Sequence, residues 1–226
     1  MDNMNQTLPE SPALQDQIQE LRELATKDSL SGLLNRITVE QRIKQRLARL
    51  KPDELCAMMI IDLDNFKMVN DTLGHLAGDQ AVRQSAQVLS SIFQVGDIVG
   101  RLGGDEFIVF LSGNITEDYI RSKGAEICQR LQLTLGNAPG ILLTVSVGIR
   151  IASGNNLRFE SMYQSADLAM YKAKKNGKHG YYIKRDEDSR GESFCRSTRS
   201  LLPDCWSRWR AAWPFLKWGR ACASYM

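Results

Sequence analysis

The stretch from Asp97 to Ser112 constrains this chain most. Two runs, Asp97–Leu102 (DIVGRL) and Glu106–Ser112 (EFIVFLS), stand on either side of Gly103 and Gly104. Apolar runs rich in β-branched and aromatic residues, parted by paired glycines, read as a β-hairpin. Its apolar face needs a partner, and Cys56–Leu63 (CAMMIIDL) supplies one. That run is continuously apolar and ends in acid, as expected of a strand buried on both faces. Between the two, residues 66–93 suit a short helix, a break at Gly74 and Gly78, and a longer helix. After the hairpin, 116–135 reads as a helix and Ile141–Ile151 as a strand. The order is β-α-β-β-α-β, the ferredoxin-like arrangement of an α+β fold with a mostly antiparallel central sheet and flanking helices. In its usual topology the first and third strands are antiparallel neighbours. Asp62, at the end of the first, then lies beside Asp105 and Glu106 at the start of the third.

The flanks are simpler. Residues 36–50 and 158–175 read as helices, and Tyr181–Ile183 as a last short strand. Residues 1–12 are polar with two prolines. Over 13–27, Leu14, Ile18, Leu21 and Ala25 form a short heptad-like seam. Such a helix either packs on its own domain or serves as a stalk in a dimer. The expected division is a tail and linker helix over 1–27, a catalytic domain over 28–184, and an atypical tail over 185–226. With 226 residues, 43% of them hydrophobic, the chain suits one domain with flanks. No apolar run approaches a membrane span, and the start lacks the basic and apolar regions of a secretory signal. The five cysteines, 56, 128, 195, 205 and 222, show no metal-ligand spacing and read as cytosolic free thiols. The expected location is cytoplasmic. The formal charge is +3, but residues 195–226 carry six Lys/Arg and one acid, so residues 1–194 sum to −2. A slightly acidic body argues against a nucleic-acid-binding core.

Three carboxylates at one strand end are costly unless a cation sits among them. Mg²⁺ suits such a site, being a hard ion held by one or two carboxylates plus substrate phosphates. Asp64-Asn65-Phe66-Lys67 leads into a helix, so its backbone N–H groups are placed for an anion, and Lys67 adds charge. Carboxylates, metal and phosphate-binding amides together suit nucleotidyl transfer. Spacing alone also admits a solvated hairpin and a helix cap, and on spacing alone that plainer reading carries more weight.

Five segments shift the balance. Arg101–Phe107 (RLGGDEF) resembles the signature hairpin of the GGDEF family of diguanylate cyclases. DSLSGLLNR (28–36), DLDNFKMVNDTLGHLAGD (62–79), VSVGI (145–149) and ADLAMYKAKKNGK (166–178) resemble its other segments, in order and spacing, over about residues 26–184. The resemblance implies the palm of nucleotide cyclases and polymerases. It also implies condensation of two GTP to cyclic di-GMP and two pyrophosphates, with Mg²⁺ or Mn²⁺, one GTP on each subunit of a homodimer. Asp62 and the Leu63 carbonyl match metal ligands. Asp105 matches a metal ligand and general base, with Glu106 beside it as a further metal ligand. Lys67 matches a transition-state stabiliser, and Asn70 and Asp79 a guanine-reading pair. His75 matches a substrate contact, or is a helix-capping or packed histidine. Lys174 and Lys178, four apart on one helix face, match triphosphate contacts. Gly103 and Gly104 match the tight turn at the substrate. Leu30, Leu33 and Leu34 read as core, Ser146 and Gly148 as strand packing, and His179 as surface.

The chain departs from the family pattern in three places. Where many members carry an inhibitory Arg-x-x-Asp product site, it reads Gln94-Val95-Gly96-Asp97, so inhibition there is expected to be weak or absent. Only about 27 residues precede the domain, so an input domain is not expected, and no E-A-L motif follows. Trp206, Trp209, Trp213 and Leu216, interleaved with Arg208, Arg210 and Lys217, would suit a helix on an anionic membrane. Pro203 and Pro214 interrupt it, and the abrupt compositional change favours a truncation or frame change instead. The alternative function is a catalytically silent GGDEF-like module that binds GTP or a protein.

Overall fold

The computed structural model describes residues 16, 17, 21, 23–135, 140–154 and 156–185, and the backbone of 193–196. The elements run α1 (Arg36–Leu47), β1 (Leu55–Asp64), α2 (Phe66–Leu73), α3 (His75–Ile92), β2 (Ile98–Gly103), β3 (Glu106–Gly113), α4 (Glu117–Arg130), β4 (Leu133–Leu135), β5 (Ile141–Ser153), α5 (Phe159–Lys175), β6 (Gly180–Lys184) and β7 (Ser193–Arg196). The sheet order is β2-β3-β1-β5-β6-β7, with β4 added to β5. Neighbours are antiparallel except β5 and β6, which are parallel.

Central β1 explains the two-layer core. From Cys56 to Asp64 every residue is buried. Strand side chains alternate between faces. Ala57, Met59, Ile61 and Leu63 pack with Ala81, Val82 and Leu89 of α3 and Ile120 and Ile127 of α4. Cys56, Met58 and Ile60 pack with Val39, Ile43 and Leu47 of α1 and Met162, Ala166 and Met170 of α5. Asp62 and Asp64 continue the even-numbered series and so face α5. Leu33 lies in the core, with Leu30 and Leu34 packed against it.

Helix ends follow local chemistry. Asn35 caps α1 by accepting from the Thr38 amide at 3.0 Å, and Thr116 caps α4 by accepting from Tyr119 at 3.2 Å. The expected helix over 116–135 stops at Arg130, because Leu133–Leu135 pair with Ile141–Leu143 as a hairpin. Only Gly74 breaks the helix pair over 66–93, at φ +85°. Gly78 lies inside α3 and answers a packing need instead. Residues 16, 17, 21 and 23–26 are helical, in line with the linker helix, and Leu21 and Leu24 stand exposed on it. The Trp/Arg-rich stretch lies outside the described residues. Among the described residues no helix is long and apolar enough to cross a membrane.

Candidate active site

The β1–β3 register sets Asp62 directly opposite Glu106, as the topology predicts. Both belong to the face covered by α5. The turn of the hairpin is Gly104-Asp105 rather than the two glycines, with a bulge between Arg101 and Gly103. Gly103 and Gly104 adopt φ +143° and +53°, where a side chain would be strained. Asp105 is half-buried at this turn, and its carbonyl accepts the Leu63 amide at 3.3 Å. The turn is bolted from behind. The Arg101 guanidinium donates to the Gly104 carbonyl from Nε at 3.1 Å and Nη2 at 2.7 Å, and from Nη1 to Asp28 Oδ1 at 2.9 Å. Burial pushes the Asp28 carboxyl up, but hydrogen bonds from Ser31 and Arg101 outweigh it and hold it below its usual value. Sequence analysis assigned Asp28 and Arg101 no role of their own. Their signal in the sequence is that Asp28 opens the DSLSGLLNR segment and Arg101 the RLGGDEF segment.

Asp62 is 7% exposed, and Lys174 Nζ of α5 sits 2.8 Å from its Oδ2. Burial pushes its pKa up to about 6, against the pull of Lys174, and the nearby Asp105 and Glu106 add to the rise. Glu106 is also raised, by burial first and then by Asp105 and Asp167. A buried acid on a crowded acidic strand end, already drawing an ammonium to itself, is the donor set a hard divalent cation needs. Among the described residues no group of three His, Cys, Asp or Glu side chains forms a ready-made cage. Mg²⁺ does not require one, since it retains waters and takes substrate phosphates.

A consequence for stability follows. The unfolded Asp62 titrates near 3.8 and the folded one near 6, so folding costs more as pH rises through that window and the cost stays above it. Asp62→Asn removes the cost. The ligand-free variant should melt above the parent at about pH 8, with the gap closing as pH falls toward 3.8. Calorimetry across this range checks it, and a gap independent of pH would trace to something other than the charge.

The other expected residues cluster around the start of α2 and α3. Asn65 takes φ +61° ahead of α2, where Lys67 is exposed. Asn70 and Asp79 are half-buried on α2 and α3, and His75 is exposed at the start of α3. A Cβ at Gly78 would stand 1.9 Å from Asn70 Oδ1, so Gly78 is the floor under the Asn70 amide. Lys174 and Lys178 do not share a helix face. The α5 helix ends at Lys175, and the Gly177 and Lys178 amides bond back to the Lys174 and Ala173 carbonyls at 3.3 and 3.2 Å. That is a Schellman stop on Asn176-Gly177. It turns the chain, and Lys178 Nζ donates to Asn65 Oδ1 at 2.6 Å. Gln94 and Asp97 lie on the turn before β2, where Asp97 Oδ2 accepts the Gln94 amide at 2.9 Å.

Comparison with known proteins decides the family. The family model described as "Diguanylate cyclase, GGDEF domain" matches residues 25–180. The chain belongs to the GGDEF diguanylate cyclase family. It is 35% identical over 161 residues to the probable diguanylate cyclase DgcC of Escherichia coli, covering 70% of this chain and 43% of DgcC. It is also 33% identical over 164 residues to the cyclic di-GMP phosphodiesterase PdeR of Escherichia coli, covering 72% of this chain and 24% of PdeR. The chain thus spans less than half the length of these curated relatives. Among solved structures, the coiled coil and GGDEF domain of DgcB from Caulobacter crescentus, in complex with c-di-GMP, matches with a TM-score of 0.66 at 25% identity, covering 76% of this chain and 92% of that one. The GGDEF fold accounts for the mainly antiparallel sheet and flanking helices described above.

Proposed function

We propose that this GGDEF domain condenses two GTP into cyclic di-GMP with release of two pyrophosphates, working as a homodimer with one GTP per subunit. The observation that carries the reading is the Asp62–Glu106 register, which gathers Asp62, Asp105 and Glu106 at one strand end beside Lys174. Asp62, the Leu63 carbonyl, Asp105 and Glu106 would hold Mg²⁺ or Mn²⁺. When bound, the cation supplies polarisation of the α-phosphate and eases loss of the 3′-hydroxyl proton. Asp105, on a turn fixed by Arg101, accepts that proton at a carboxylate oxygen. Lys67, Lys174 and Lys178 offer fixed positive charge to the phosphates. Gly103 and Gly104 leave room for the nucleotide to approach the turn. Asn70 and Asp79 read the guanine edge, and His75 makes a further substrate contact. The exposed Leu21 and Leu24 suit a helix that pairs with a second copy. The test is purified protein with GTP and Mg²⁺, with the product identified by mass.

A second reading, a GTP-binding or protein-interaction module without turnover, draws on the relative named as a phosphodiesterase. GTP binding without product in the same assay would select it.

Two outcomes follow from the proposed function. Gly78→Ala should push the Asn70 amide off its floor and lower preference for GTP over ATP, with about tenfold at stake for a lost hydrogen bond. Competition binding reads the ratio, and an unchanged ratio would move guanine recognition away from Asn70. The second concerns Gln94. The turn it starts is held through the Gln94 backbone, whose amide donates to Asp97 Oδ2 and whose carbonyl accepts the Asp97 amide at 3.0 Å. The exposed side chain at 94 is therefore free to change. The parent should resist noncompetitive inhibition by cyclic di-GMP, and Gln94→Arg should gain it, because guanidinium offers a planar fork of donors that a neutral amide lacks. Initial rates with and without product check both halves. An inhibited parent or an insensitive variant would refute the respective half.

A further inference from the structure

The proposed chemistry leaves one buried carboxylate unused. Asp64, the last residue of β1, is 2% exposed. It accepts three hydrogen bonds. Thr144 Oγ1 donates to Oδ2 at 2.7 Å, Ser146 Oγ to Oδ1 at 2.7 Å, and the His179 backbone amide to Oδ2 at 3.0 Å. It thereby ties the end of β1 to β5 and to the turn after α5.

Left-handed backbone gathers around this carboxylate. Asn65 has φ +61°, Lys178 φ +61° and His179 φ +49°. Lysine and histidine rarely adopt that conformation in sequence, and such residues persist where the surroundings over-determine them. Here Asp64 holds the second of the pair by its amide. The first, Lys178, reaches back so that its ammonium meets Asn65 Oδ1 at 2.6 Å, at the entrance to α2. Two left-handed turns from distant parts of the chain thus face each other, and Asp64 directly precedes one and holds the other by the His179 amide.

We propose that Asp64 is a positioning residue for the nucleotide phosphates, acting through the Lys178–His179 turn to set where the Lys178 ammonium stands. The inference rests on the reading of the site as one for a nucleoside triphosphate. It makes a distinction that charge alone would not. An asparagine at 64 can turn its carbonyl to Thr144 and His179 and its NH₂ to Ser146, whose hydroxyl also accepts. An alanine leaves the His179 N–H without its acceptor.

The test is calorimetric binding of GTP and of GMP, with Ca²⁺ present to prevent turnover, on the parent, Asp64→Asn, Asp64→Ala, Lys178→Met and the double variant Asp64→Ala/Lys178→Met. Asp64→Asn should stay within about threefold of the parent. Asp64→Ala and Lys178→Met should each weaken GTP by about tenfold and leave GMP unchanged, since Lys178 serves the outer phosphates. The double variant should be no worse than either single one, because both act through one turn. Asp64→Asn failing as badly as Asp64→Ala would overturn the proposal, as would GMP falling together with GTP, or losses that multiply. Hydrogen exchange at the His179 amide of the parent tests the anchor without any variant. Protection supports it, and free exchange overturns it. A parent that binds neither nucleotide overturns the functional reading, and this one with it.

Discussion

Asp105→Ala should lower cyclic di-GMP formation by ~10²–10⁴-fold while the domain melts within a few degrees of the parent. The size follows from asking one carboxylate to accept the hydroxyl proton and to share the cation. The survival of the fold follows from position. Asp105 is the second residue of the two-residue turn, and its contribution to the sheet is its carbonyl, which accepts the Leu63 amide whatever the side chain. The Arg101 bolt likewise ends on the Gly104 carbonyl and on Asp28, leaving the carboxylate of Asp105 out of the scaffold. Turnover within about tenfold of the parent would remove Asp105 from the chemistry. A collapsed melting temperature would instead make it a structural residue. Product formation with thermal melting of the same preparation separates the two.

Gly148→Ala should be the most damaging single methyl group among the described residues. A Cβ there would lie 2.0 Å from the Ala166 carbonyl oxygen, 2.1 Å from the Met170 nitrogen and 2.7 Å from Met170 Cα. All three are backbone atoms of α5, so no side chain can rotate aside and the whole helix must lift from β5. Overpacking of this kind costs about 1–3 kcal/mol and occasionally more, and a clash with backbone alone belongs at the upper end. A domain of this size should then lose roughly 10 °C in melting temperature. Because α5 also carries Lys174, the variant should lose GTP binding before it unfolds. A shift of less than about 2 °C would mean that α5 rides more loosely on the sheet than its packing indicates.

Much of this architecture is legible in the sequence, and the parts that are not share a cause. The run CAMMIIDL announces β1 because burial on both faces removes the polar alternation that marks other strands. Asp62 meeting Glu106 follows from topology once the hairpin is recognised. Gly148 and Ser146 read correctly as strand-packing residues, although Ser146 also serves Asp64. What escapes is whatever depends on a distant partner. Leu133–Leu135 continues the apolar rhythm of α4, and only pairing with Ile141–Leu143 makes it a strand. Gly78 looks like a helix break until the Asn70 amide is seen resting on it. Lys174 and Lys178 are four apart, yet Asn176-Gly177 ends the helix between them. Asp64 has its donors at Thr144, Ser146 and His179, none of which its local sequence suggests.

The place of β1 in the sheet also bears on how the chain is made. Both of its neighbours come later in the sequence, β3 at Glu106–Gly113 and β5 at Ile141–Ser153. During synthesis this apolar strand emerges before either of its partners and waits with both edges unpaired. It stays so until the hairpin arrives, and its other edge stays open until β5 has cleared the ribosome, about 90 residues after the end of β1. Such long-range pairing is slow to close, and an open apolar strand edge is a template for a neighbouring chain. Conditions that slow the C-terminal half of the domain should therefore favour aggregation over any folded fragment.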